Sequence, residues 1–177
     1  MKKLATALTV VLGSLFIASS ASAEFFSVSL GVPVSHSFSD PDVVESDGMP
    51  SGVFAAAKLP ILVGLGYENY NTPIKSDGDL KLNTTMYDLF YLLPIPIINL
   101  TIGVGAGTTE FDCATCSQVY DSGTATQVYA SLGLPLFVVM DFHVSYRSVN
   151  SKIKTKSGSN EYDISGNVAG VGISIGF

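Results

Sequence analysis

The chain has 177 residues, with nine Lys or Arg, 15 Asp or Glu, two His, 17 Gly and no Trp. Lys2 and Lys3 fall in a short basic start, so the remainder sets seven basic against 15 acidic side chains. That acidic balance argues against nucleic acid as a partner. Two His rule out a His-rich metal site, and low charge with frequent Gly disfavours a soluble α/β domain.

Met1-Lys2-Lys3 is followed by an apolar stretch to Ile17 and by small residues ending in Ala21-x-Ala23. This is the layout of a cleaved signal peptide, so residues 1–23 are set aside and 24–177 are read as one domain. The apolar core is short for a spanning helix, and no later run is long enough for one. No Cys follows the cleavage site, so a lipoprotein is not expected.

The first alternating run covers 25–38. Phe26, Val28, Leu30, Val32, Val34 and Phe38 alternate with Ser27, Ser29, Gly31, Pro33, Ser35 and Ser37. Period-2 alternation of that length reads as a strand with one apolar face. Pro33 removes a ladder donor and marks a distortion. His36 shares the apolar phase and is expected at the outer surface. The polar stretch 39–50 carries Asp40, Asp42, Glu45 and Asp47. Val44 stands where an EF-hand needs an oxygen ligand, so it is a poor calcium loop.

The second run, 51–59, puts Val53, Ala55, Ala57 and Leu59 outward and Phe54 and Lys58 inward, with a tight connection at Pro60. The third, 61–70, puts Ile61, Val63, Leu65 and Tyr67 outward and Gly64, Gly66 and Glu68 inward. Residues 71–79 form a polar loop. The fourth run, 80–93, has an ambiguous phase. If Asp88 faces inward, Tyr87, Leu89, Tyr91 and Leu93 face outward, and Met86 and Phe90 turn inward. Pro94-Ile95-Pro96 makes a short turn.

In the fifth run, 98–109, Ile98, Leu100, Ile102, Val104 and Ala106 alternate with Asn99, Thr101, Gly103, Gly105 and Gly107. The three glycines leave room for bulk such as Tyr129. The loop 110–123 contains Cys113 and Cys116, which in a secreted chain point to a disulfide that stiffens the loop tip. The sixth run, 124–134, puts Val128, Ala130, Leu132 and Leu134 outward and Gln127, Tyr129, Ser131 and Gly133 inward. Pro135 is read as the third short turn.

The seventh run, 136–149, puts Val138, Met140, Phe142, Val144 and Tyr146 outward and Asp141, His143, Ser145 and Arg147 inward. The loop 150–160 carries Lys152, Lys154 and Lys156. These lysines either balance the acidic first loop or meet phosphates of the membrane surface. In the eighth run, 161–177, Tyr162, Ile164 and Val168 share one parity, and Val171, Ile173, Ile175 and Phe177 the other. A bulge at Ala169-Gly170 is expected to reconcile them.

Eight runs joined by alternately long and short connections predict an all-β fold: an eight-stranded, antiparallel, up-and-down transmembrane β-barrel. Apolar residues crowd one face, and Gly, Ser, Asn and charged residues the other. A soluble lipocalin-like barrel would need the reverse. Eight strands enclose a lumen that side chains just fill. The inward Lys58, Glu68, Asp88, Asp141, His143 and Arg147 are therefore expected to form a paired polar plug, with Lys58 and Asp141 close to the turns and Glu68 and Arg147 higher, facing each other across the barrel, because a buried charge without a partner is expensive. Two aromatic girdles are expected: Phe38, Tyr70, Tyr146 and Tyr162 at the loop ends, and Phe26, Tyr91, Phe137 and Phe177 at the turn ends.

The closing residues Val171, Ile173, Ile175 and Phe177 resemble the C-terminal signal of bacterial outer-membrane β-barrels, whose last residue is typically Phe. The resemblance implies the cell outer membrane of a Gram-negative envelope, the barrel-assembly machinery and periplasmic chaperones as partners, lipid and lipopolysaccharide as surroundings, and a monomer. The inward charges resemble the OmpA/OmpX-like transmembrane domains, where ion pairs block the lumen. That implies a non-enzymatic surface or structural role in adhesion or envelope integrity, acting through the loops. A porin-like narrow channel, or a path for small or hydrophobic molecules, is the alternative. With the chain ending at Phe177, no periplasmic peptidoglycan-binding domain is expected.

His143-Val144-Ser145 is similar to the His-x-Ser of the lipid A 3-O-deacylase family, another eight-stranded barrel, with Glu161 as the candidate third member. Tyr146 stands where that family carries Asn, and His143 shares the lumen parity, whereas a lipid-hydrolysing site must meet lipid. A lipid A-modifying enzyme is thus the second alternative, and no catalytic residue, cofactor or metal is assigned.

Overall fold

The structure is a computed structural model that describes residues 26–41, 44–76, 79–93, 95, 98–137, 139–158 and 160–177. The leader at 1–23, Phe25, Asp42, the turn residues Pro94 and Pro96 and the outward placement of Val138 lie outside the described residues.

Among the described residues, nine strands and one short helix follow in order. They are β1 (Ser27–Phe38), β2 (Ser51–Lys58), β3 (Val63–Ile74), β4 (Leu80–Leu93), β5 (Asn99–Asp112), α1 (Cys116–Val119), β6 (Gly123–Phe137), β7 (Met140–Lys154), β8 (Glu161–Asp163) and β9 (Gly166–Gly176). From β1 to β8 each strand pairs antiparallel with the one before it, and β9 returns to pair with both β7 and β1. The β1–β9 ladder runs from Ser27 opposite Gly176 to Phe38 opposite Gly166. Eight strands therefore close a ring, and closure removes the edges that an open sheet exposes. β8 extends the loop end and pairs with β7 alone, Lys152 facing Asp163 and Lys154 facing Glu161.

Several boundaries differ from the sequence reading. The third short turn is not at Pro135. β6 continues to Phe137 and β7 begins at Met140, with the pairing irregular between Pro135 and Phe137. A proline without a ladder donor is absorbed there as a distortion rather than as a chain reversal. β7 also runs on to Lys154, so Asn150 and Lys152 belong to a strand rather than to the fourth loop.

The irregularity at the barrel seam lies in β1, not β9. Pro33 pairs with Gly170 and Ser35 with Ala169, leaving Val34 as the extra residue. The inserted residue reverses parity along β1. His36, expected at the outer surface, therefore turns inward. It is buried, its Nδ1 sits 2.8 Å from Thr72 Oγ1, and its ring lies 4.3 Å from that of Phe38. β9 keeps one phase throughout. Val168 and Gly170 are buried, while Ile173, Ile175 and Phe177 are exposed.

Tyr70 is likewise inside, at 0% exposure, rather than in a girdle. Tyr162 packs edge-on to Tyr120 at 5.9 Å. The exposed tyrosines at that height are Tyr67, Tyr87 and Tyr146.

The outer surface has two zones. Towards the turns it shows Val28, Leu30, Leu65, Leu89, Ile102, Val104, Val128, Leu132, Leu134, Val144 and Ile173, all exposed. From Val128 to Leu136 this zone rises about 20 Å at a strand tilt of about 40°. Above it the outward positions become Asn69, Asn83, Thr85, Thr108, Thr126, Ser148 and Asn150. Inside, the order is reversed. The charged residues lie in the lower part, while Val44, Ile74, Leu82, Ile153 and Ile164 form an apolar core at the loop end. Above the belt the barrel is built like a soluble one, apolar inside and polar outside.

Candidate functional site: the lumen and its roof

Strand parity delivers the site. On β3 Glu68, on β4 Asp88, on β6 Gln127 and on β7 Arg147 all point inward at mid-height, and all are buried. Arg147 Nε bonds Glu68 Oε1 at 2.7 Å and Oε2 at 2.9 Å, and its Nη2 lies 2.7 Å from Oε1. A guanidinium facing a carboxylate with several donors is the strong geometry for an ion pair. Gln127 Nε2 then donates to Asp88 Oδ1 at 2.7 Å and Glu68 Oε2 at 3.2 Å. The Arg147 guanidinium carbon lies 3.8 Å from the Phe54 ring centroid and 5.3 Å from that of Tyr129, so aromatic faces cover what the carboxylate leaves open.

Small residues make this crowding possible. A Cβ on Gly103 would lie 2.5 Å from Tyr129 Cζ, and one on Gly105 would lie 2.9 Å from Gln127 Cγ. The glycine stripe on β5 is thus the space that the Tyr129 and Gln127 side chains occupy.

Below the pair, towards the turns, lies a cavity of about 90 Å³ whose walls include Lys58, Asn99, Asp141, His143 and Ser174. Asn99 donates to Asp141. His143 Nδ1 is 3.2 Å from Ser174 Oγ, which is 2.6 Å from Ser29 Oγ. Above the pair, Phe54, Tyr70, Val149 and Val168 form one buried apolar layer. Higher still sits the apolar core around Leu82 and Ile153, with Phe38, Leu80, Phe111 and Tyr120 packed against it. Val44, which spoiled the calcium pattern in the first loop, is part of that core.

Among the described residues the lumen is therefore asymmetric: polar and hollow on the turn side, and packed on the loop side by two apolar clusters with His36, Thr72, Thr84, Thr109 and Ser151 buried beside them. Such an arrangement can hold a few waters below the ion pair.

All six predicted lumen residues line this interior. Glu68, Asp88 and Arg147 gather at the centre, and Lys58, Asp141 and His143 lie lower. The pattern reading missed the roof, Gln127 as the bridge between two carboxylates, and Asn99 as a partner of Asp141. The signal for Gln127 and Asn99 was their shared parity with the charges. Val168 and Val149 were masked by the assumption that aliphatics face lipid at every height.

The His-x-Ser pair is not assembled as a nucleophile and base. Ser145 Oγ donates to Gly170 O at 3.3 Å and accepts from Arg147, while the His143 ring bonds Ser174. Glu161 lies at the loop end with Lys152 at 3.0 Å and Lys154 at 3.5 Å. These two lysines hold the Glu161 carboxyl below its ordinary range, chiefly through the Lys152 hydrogen bond.

Glu45 and Lys156 have partners other than those expected from a pairing of the first and fourth loops. Glu45 meets Lys75 of the second loop at 2.8 Å, and Lys156 lies 4.0 Å from Asp121 of the third. Cys113 and Cys116 form a disulfide. Beside it, the third loop docks on the end of β7 through Asp121 N–Lys154 O and Lys156 N–Val119 O bonds, each 2.9 Å.

No known protein-family pattern matches the sequence, and no curated protein matches it. The fold does match solved structures. Against the Neisserial surface protein A it aligns over 86% of this chain and 96% of that one, with a TM-score of 0.64 at 11% identity. Against the outer membrane protein W of E. coli it aligns over 87% and 98%, with a TM-score of 0.54 at 8% identity. With its closed eight-strand ring, this chain has the fold of the small eight-stranded outer-membrane β-barrels.

Proposed function

We propose that the chain is an integral outer-membrane barrel that acts at its outer surface, in adhesion or envelope integrity, and does not pass solute. The observation that carries this is the Glu68–Arg147 pair roofed by Phe54, Tyr70, Val149 and Val168. A hydrated ion entering from the turn side would meet a closed salt bridge and then two closely packed, mainly apolar layers, where burying a charge is costly. What remains for the outside is a loop face stiffened by a disulfide and by docking onto β7. Delivery through a signal peptide at 1–23, the periplasmic chaperones and the barrel-assembly machinery belongs to the same reading, supported by the alternation that ends on Phe177.

The purified protein reconstituted in planar bilayers is expected to give no porin-sized conductance steps. Steps of that size in the intact protein would overturn the reading. The polar cavity of about 90 Å³ favours one second reading, a narrow channel gated by the central pair. That reading requires small conductance steps in the intact protein that grow when Arg147 and Glu68 are both replaced by Ala.

A further inference from the structure

The outer wall of β3, β4 and β5 is ordered in rows by strand register. Leu65, Leu89 and Val104 form one row, and Tyr67, Tyr87 and Ala106 the next towards the loops. Asn69, Thr85 and Thr108 follow, then Asn71, Asn83 and Glu110. The wall thus passes from aliphatic to aromatic to polar within a few residues. Tyr67 and Tyr87 are 40% and 65% exposed, with ring centroids 5.5 Å apart. Directly above them, Asn69 Nδ2 donates to Thr85 Oγ1 at 2.9 Å and Asn83 Oδ1 at 3.3 Å. One amide thereby fixes two neighbours. The Asn83 NH₂, the Asn69 carbonyl and the Thr108 hydroxyl keep hydrogen-bonding capacity for an outside partner.

We propose that this wall holds the saccharide headgroup of an outer-leaflet glycolipid. Its sugar rings lie against Tyr67 and Tyr87, its hydroxyls meet Asn69, Asn83 and Thr108, and its acyl chains lie on the Leu65–Leu89–Val104 row below. The inference rests on the membrane placement proposed above. Three observations select sugar over phosphate. The four rows contain no Lys or Arg, which phosphate recognition would call for. The loop lysines are already engaged: Lys152 and Lys154 with Glu161, Lys156 with Asp121, Lys75 with Glu45, and Lys81 with Asp79 at 3.5 Å. The polar rows also begin where the apolar belt ends, at the height of a headgroup rather than of a distant soluble ligand.

The test uses the full barrel in detergent, offered rough-type lipopolysaccharide or phosphatidylglycerol, which carries acyl chains and a phosphate but no sugar, with retained lipid counted by native mass spectrometry. The intact protein is expected to retain the lipopolysaccharide in preference to phosphatidylglycerol. Asn69→Ala/Asn83→Ala and, separately, Tyr87→Leu are expected to lower lipopolysaccharide retention by about tenfold, the worth of one to two hydrogen bonds. Ser148→Ala, outward on β7, should leave it unchanged. Equal retention by the variants, or phosphatidylglycerol retained as well as lipopolysaccharide, would overturn the proposal. Heat-modifiable migration in gels reports folding separately. A chain that fails to fold into lipid at all sinks the membrane reading, and a folded chain blind to the sugars sinks only this one.

Discussion

At the loop end of β4, Leu82 points inward and Asn83 outward; nearer the turns, Asp88 points inward and Leu89 outward. The side-chain phase is the same in both halves, because the strand is continuous. What changes is the surrounding solvent. In the membrane placement proposed above, lipid against the lower wall makes apolar residues the stable outward choice, and the lumen then takes the polar ones. Water against the upper wall reverses both preferences, as in a soluble barrel. A transmembrane barrel with strands longer than the membrane therefore carries two opposite hydrophobic patterns on one uninterrupted alternation.

The largest effect is expected where the lower half hides charge. Arg147→Leu alone leaves Glu68 buried beside Asp88 without its cation, and should cost about 3–5 kcal/mol in urea unfolding of the lipid-folded protein. Replacing Glu68 and Arg147 together by Leu and Met should cost clearly less than the single change. If the single change is as mild as the double, the pair is not what organises the lower lumen.

The upper half should answer to a different substitution. Ile153→Ala, inside the loop-end core, should cost about 2–4 kcal/mol through lost packing and an unfilled cavity. Leu89→Ala faces out of the belt, where mobile lipid fills the vacated space, and should cost less. Equal losses in the same unfolding assay would mean that the two halves do not differ in kind. Between these lies the glycine stripe. Gly103→Val drives methyl groups into the Tyr129 ring and should cost about 1–3 kcal/mol without touching any ion pair.

The smallest effect is at the exposed rim. The folded-state pKa of Glu161 lies below its ordinary value because Lys152 and Lys154 favour the charged form. Its contribution is thus present above the ordinary carboxylate range and fades as pH falls through the lowered value. The protection of the amides of Thr155 and Glu161–Asp163 against hydrogen exchange, taken relative to the intrinsic rate at each pH, should fall on going from about pH 7 to about pH 3, and Glu161→Gln should remove that change in protection. Its place at the solvent-exposed loop end keeps the effect local and salt-sensitive.

Much of the lower half was legible in the sequence. Period-2 parity put Glu68, Asp88, Asp141 and Arg147 inside, and the Gly103–Gly105–Gly107 stripe announced space for Tyr129. The upper half misled the same rule. Ile164 and Val168 looked out of phase with Ile173 and Ile175, and the conflict was assigned to a bulge at Ala169-Gly170. β9 in fact keeps its phase and crosses from one solvent to the other. The real irregularity, at Val34 on the opposing strand, carried His36 inside, and no local pattern around His36 marks that shift beyond Pro33. Loop pairing was illegible for another reason: charges at the tips choose partners by proximity after the barrel closes, so Glu45 found Lys75 rather than the fourth loop.

The sequence by itself determined the eight strands of the ring, their antiparallel order and the inward set of the lower lumen. Alternation is a local property of a strand with a different surrounding on each face. Only the tertiary structure decided where that alternation changes meaning, that a roof of Phe54, Tyr70, Val149 and Val168 lies over the Glu68–Arg147 pair, and that Tyr67, Tyr87, Asn69 and Asn83 share one outer wall. Those facts depend on register between strands and on the height at which lipid gives way to water, and neither is written in any single strand.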